Sequence, residues 1–134
     1  MFYFTGNIPV LIQPIMNIEI HKIGDIQIAE VISEEVLIKN QEDALDFIVD
    51  LYYQDFEKII IHEKNITPDF FNLETGIAGE VLQKFSNYKI QLFIIGEFTK
   101  YPGKSLKAFI YESNKGQRFN FLDSVELAVE KMSK

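Results

Sequence analysis

Two short apolar runs constrain the fold more than anything else in this chain: KIIIH at residues 58–62 and KIQLFIIG at residues 89–96. Continuous runs of this length, rich in β-branched residues, suit strands buried on both faces. The stretch between them, ETGIAGEVLQKFSN (residues 74–87), repeats its apolar residues at helical spacing, with Ile77, Val81 and Phe85 along one side. A strand, a helix and a second strand of this kind predict two parallel neighbours joined by a right-handed crossover.

The flanking segments extend the same layout. Residues 18–32 alternate, with Ile18 and Ile20 on one face and Glu19 and His21 on the other, and Gly24-Asp25 marks a turn. This predicts a hairpin with one wet face. In NQEDALDFIVDLYYQ (residues 40–54), Asn40 is an N-cap and Leu45, Ile48, Val49 and Tyr52 form the apolar stripe of a helix. Thr67-Pro68-Asp69 reads as a helix start. Gly76 and Gly79 weaken the helix that follows, which points to close backbone packing there. Residues 105–116 give a third helix, capped by Ser105, stopped by Gly116 and with Leu106, Phe109 and Ile110 inward. Residues 118–122 give a strand, and a capping box of Asp123 and Glu126 opens the last helix. The fold class is therefore α/β: a single domain over residues 16–134 with a mixed, mostly parallel β-sheet opened by an N-terminal β-hairpin, in the order β-β-α-β-α-β-α-β-α. Residues 1–15 are either an N-terminal extension or an extra edge strand, a place that suits Pro9 and Pro14.

Composition narrows the function classes. The net charge is −7 and Arg118 is the only arginine, so nucleic acid, whose binding needs cations to displace counterions, is not an expected partner. Nor is a membrane: no apolar run reaches the roughly 20 residues that span a bilayer. The start lacks the basic segment of a signal peptide, so a cytoplasmic protein is expected. The absence of cysteine excludes disulfides and thiolate chemistry. With His21 and His62 as the only histidines, no metal and no cofactor is expected.

Candidate site residues gather where the buried strands end, the edge at which open α/β sheets bind ligands. His62, with Glu63 or Asp69 beside it, has the chemistry of a general base oriented by a carboxylate; the plainer reading is a strand-end histidine satisfied by a loop carbonyl. His21 reads as solvated. Gly103-Lys104-Ser105 follows Gly96 like a phosphate loop, but six residues separate the glycines where the P-loop has four. That reading gives way to an ordinary helix start near Lys104, with a weak anion site at its exposed N–H groups as the residual option. Arg118 either clamps an anionic group or ties down acidic helices. The acids Glu63, Asp69 and Glu74 read as a solvated loop rather than a cation site.

The segment KIIIHEKNITPDFFNLETGIAGEVLQKFSNYKIQLFIIGEF resembles a DUF4180-like uncharacterised bacterial family, defined only as a domain of unknown function, and more distantly the STAS-type domains of sulfate transporters and anti-sigma-factor antagonists. The first resemblance runs from about Met16 to the end. In the STAS type a buried strand leads through an Asp-Ser-Ser-Gly-like turn into a helix and then a second buried strand. Thr75, before Gly76, matches the position of the phosphorylatable serine, while Asn72, Leu73 and Glu74 depart from the motif. Glu74 already carries the kind of charge a phosphate would bring. The resemblance implies a mixed sheet with helices packed on it, and a binding or regulatory module rather than a catalyst.

The expected function is thus a non-catalytic STAS-like binding or regulatory module for a protein partner or small ligand. Its surface is the segment 66–81 with Glu97 and Lys104 nearby, so that Glu74, Thr75, Gly76, Glu97, Lys104 and Arg118 are the binding residues. The alternative is a small enzyme using His62 as general base on an anionic substrate held by Arg118. A homodimer, with residues 1–15 docked on a neighbouring subunit, is the third expectation.

Overall fold

The computed structural model describes residues 16–134; residues 1–15, and with them both readings of that segment, lie outside the described residues. Five strands form one sheet in the order β1-β2-β3-β4-β5: β1 (Asn17–Ile23), β2 (Ile26–Ile32), β3 (Lys58–His62), β4 (Gln91–Ile95) and β5 (Phe119–Leu122). β1 and β2 pair antiparallel through the turn at Gly24, whose φ of 60° suits glycine. The other pairs are parallel, and β3 and β4 lie side by side from Lys58↔Gln91 to His62↔Ile95. The α/β order read from the sequence holds throughout.

Spatial order follows chain order, so each crossover steps the same way across the sheet. Right-handed steps in one direction place every crossover helix on the same face. Accordingly, α1 (Gln41–Tyr52), α2 (Ile77–Asn87) and α3 (Lys104–Ser113) share one core with Ala29, Val31, Ile59, Ile61, Leu92 and Ile94. Phe47 of α1 meets Phe85 of α2 edge-on at 6.1 Å. The opposite face is covered by α4 (Val125–Met132), whose Ala128 and Met132 pack on Ile28, Ile60, Phe93 and Ile95. Each of the larger side chains among these, once buried, stabilises the fold by about 1.5–3 kcal/mol. Among the described residues, no helix is long and apolar enough to cross a membrane.

Local chemistry shifts several boundaries. Asn40 caps α1 as expected, accepting from the Asp43 N–H at 2.8 Å. The buried stripe of α1 is Ala44, Phe47, Ile48 and Leu51, while Tyr52 is exposed; two overlapping apolar stripes compete, and the core takes the one that includes Phe47. The segment 67–75 forms two single 3-10 turns before α2 begins. Gly76 caps α2 in the left-handed region at φ 79°, and Gly79 has open space at its Cα. These glycines therefore do not serve close packing, which occurs instead at Gly96. Gly103, not Ser105, precedes α3, and α3 ends at Ser113 rather than Gly116 because Asn114 turns its amide onto Phe121 of β5. Ser124, not Asp123, caps α4, accepting from the Leu127 N–H at 3.2 Å.

Candidate functional site

Alternation along each strand places Glu19 and His21 of β1, Glu30 of β2 and His62 of β3 on the face that carries α4. Contacts of α4 with the sheet centre on β3, β4 and β5, so among the described residues this corner stays open, with Asn17, Glu19 and Ile23 exposed. Glu30 is nevertheless buried, at 6% exposure. Ionised carboxylates are almost never buried unless paired. Here the pairing is double: His21 Nε2 lies 2.8 Å from one Glu30 oxygen and His62 Nε2 lies 2.7 Å from the other. Both histidines of the chain thus converge on one acid, each with about a quarter of its side chain exposed.

The electrostatics of Glu30 reflect opposed effects. Burial raises its pKa, as desolvation does for any carboxylate. Hydrogen bonds from His21 and His62, and the charge of each ring, outweigh burial and hold the carboxyl below its ordinary value of 4.5. Glu30 therefore stays an acceptor for both rings and fixes their orientation. Glu19 stands directly opposite Glu30 in the β1–β2 register. Ligand atoms of Glu19, His21 and Glu30 all fall within 4.8 Å of one another.

The floor beneath this corner is held by Asn65, fully buried just after β3. Its Nδ2 donates to the carbonyls of Ser33 and Glu35, both at 2.8 Å, while its backbone carbonyl accepts from the Leu37 and Ile38 N–H groups. The exits of β2 and β3 are thereby tied together immediately beyond Glu30 and His62.

A second cluster lies beyond the ends of β3 and β4. Glu63 accepts from the Tyr101 hydroxyl in a short hydrogen bond and from the Glu97 N–H at 3.2 Å, and pairs with Lys100 at 2.9 Å. Glu63 also lies across Gly96, where a Cβ would fall 2.5 Å from its Oε1 and 2.6 Å from its Cβ. The Tyr101 ring stacks on Phe71 at 4.7 Å, and Phe71, Phe98 and Phe121 continue the aromatic contact inward. Burial, then the Glu63 carboxylate, pushes the Tyr101 hydroxyl pKa well above its usual 10.0. This cluster closes the end of the sheet with filled space.

The residues singled out from sequence divide accordingly. His62 is at the sheet edge as expected, but its carboxylate partner is Glu30; Glu63 is committed to Tyr101 and Lys100, and Asp69 lies in the first 3-10 turn, with its carbonyl accepting from Thr75. His21, read as solvated, is the other ring on Glu30. Arg118 precedes β5 at the opposite end of the strands, in a shallow depression with Glu57, Lys58 and Gln91. It cannot share a substrate with His62. The Thr75 hydroxyl is exposed but engaged: its proton is shared between the Asp69 and Asn72 carbonyls at 2.8 and 2.9 Å, and it accepts from the Ile77 N–H at 3.2 Å. Glu74 and Gly76 flank it, while Glu97 lies exposed in the loop after β4 and Lys104 lies exposed at the first position of α3. Glu30 itself was missed. Its signal was an acid interrupting the apolar run IAEVI, in a strand whose inner position the sequence does not reveal.

No curated protein and no solved structure matches the chain. One family does, described as "Domain of unknown function (DUF4180)", over residues 23–132. That span takes in β2, β3, β4, β5 and all four helices, with Glu30 and His62 but not Glu19 or His21. The chain therefore belongs to the DUF4180 family.

Proposed function

We propose that this chain is a cytoplasmic, STAS-like binding module and that its recognition site is the open corner of the sheet where Glu30 holds His21 and His62. The observation that carries this reading is the convergence of both histidines on the buried Glu30 carboxylate. Burying a charged group costs free energy that a stability role does not require, since apolar residues of similar volume do as well or better. Spending it on two partly exposed imidazoles suits recognition of a ligand. The site takes a small ligand or a polar group of a protein partner. The STAS-like layout is supported by the passage from β3 through turns into α2 and on to the parallel β4. The segment 66–81, with Glu97 and Lys104, leaves the same carboxyl-terminal end of the sheet and would form the outer rim of the recognition surface.

The test is a backbone and histidine side-chain NMR titration with a panel of small carboxylates, phosphates and nucleotides. Binding at the proposed site perturbs β1, Glu30 and His62 together. Perturbation confined to segment 66–81 would move recognition to the rim, and no perturbation by any compound would contradict the reading. A second reading is favoured by the 2.7 Å contact between His62 and Glu30: a carboxylate-oriented imidazole is the arrangement of a general base. Turnover of any panel compound that disappears in His62→Gln would select it over simple binding.

A further inference from the structure

We propose that Glu19, His21 and Glu30 form a binding site for one divalent transition-metal ion of the zinc class, with His62 holding the far Glu30 oxygen from outside the shell. The inference rests on the reading of this corner as the recognition site and names its ligand. Two observations point to a cation. First, Glu19 and Glu30 are direct cross-strand partners, and like charges placed opposite each other across two strands destabilise the pairing. An ion between them reverses that sign. Second, three potential ligand atoms, one each from Glu19, His21 and Glu30, already converge within 4.8 Å, while His62 Nε2 holds the other Glu30 oxygen at 2.7 Å.

The donor set fits the class. Zinc takes imidazole nitrogen and carboxylate oxygen at about 2.0–2.2 Å, usually four-coordinate, so neighbouring ligand atoms sit about 3.3 Å apart. The 2.8 Å spacing of His21 and Glu30 and the 4.8 Å span of the group straddle that value, and rotation of the exposed Glu19 side chain closes the difference. An imidazole nitrogen with two carboxylate oxygens favours zinc, cobalt, nickel or copper over magnesium or calcium, which prefer all-oxygen shells. Two carboxylates balance the ion's charge. His21 would ligate as a neutral imidazole through the Nε2 that faces Glu30, with a proton on Nδ1, and a ring protonated on both nitrogens releases one proton on binding. The scaffold is stiff: the ligands come from the paired strands β1 and β2, His62 of β3 holds Glu30 from behind, and Asn65 ties the exits of β2 and β3.

The experiment uses the full chain, stripped with a chelator and then titrated with Co²⁺ by visible absorption and with Zn²⁺ by calorimetry. One ion per chain is expected, with d–d bands of a nitrogen–oxygen site. His21→Ala and His62→Ala should each weaken binding by more than about 10-fold, since even outer-shell changes at such sites cost about 10- to 100-fold. Glu19→Gln, on an exposed strand, should weaken it without unfolding the chain. Circular dichroism of each variant separates loss of fold from loss of ligand. Absence of cobalt bands, or unchanged affinity in both folded histidine variants, overturns the metal site. If small molecules nevertheless perturb the same residues by NMR, the recognition reading stands and only the metal falls.

Discussion

Gly96 and Glu63 show how one residue's size decides another's position. The Glu63 side chain occupies the space where any larger residue at 96 would put its Cβ. Gly96→Ala must therefore displace Glu63 near its backbone. Overpacking of this kind costs about 1–3 kcal/mol, and a urea unfolding curve should show the midpoint fall by that amount with an unchanged slope. Tyr101 offers a titration. Its hydroxyl pKa is raised in the folded chain, so its contribution to stability is fully present below pH 10.0 and is lost as pH rises through the higher folded value. Ultraviolet titration should find one tyrosine ionising later than the rest, and Tyr101→Phe should remove that late step. Neither pairing was legible in the sequence. Gly96 read as the end of a strand and Glu63 as a companion of His62, because adjacency in the chain hides which face each side chain takes.

Elements were legible where one residue type dominates. The β-branched runs gave β3 and β4, and Gly24-Asp25 gave the hairpin. Boundaries failed where a tertiary partner decides them: Asn114 ends α3 by bonding Phe121, and no local pattern announces that. The most exposed element to test is α4. It covers the second face of the sheet with Ala128 and Met132, and Lys131 pins it by donating to the Asn120 side chain and to the Asn114 carbonyl. Met132→Ala should cost about 2–5 kcal/mol. Hydrogen exchange should quicken most in α4 and in central β4, while α1 and α2, packed on the other face, keep more of their protection.

At the scale of the whole molecule, chain order equals sheet order, and that identity builds the site. Among the described residues, three crossovers on one face leave the other to a single helix, and α4 packs mainly on β3, β4 and β5. The uncovered corner falls on β1 and β2, where the hairpin brings His21 and Glu30 together and the first parallel neighbour brings His62. The sequence carried all three residues and the alternation that aligns them. It did not carry the pairing of β2 with β3, which joins the histidines across the sheet. The most direct test is long-range proton–nitrogen NMR of both imidazoles in the metal-free chain, compared with Glu30→Leu. Both rings should hold their proton on Nε2 in the parent, and both should change together in the variant. A spectrum in which one ring changes while the other keeps its parental pattern would contradict the shared carboxylate.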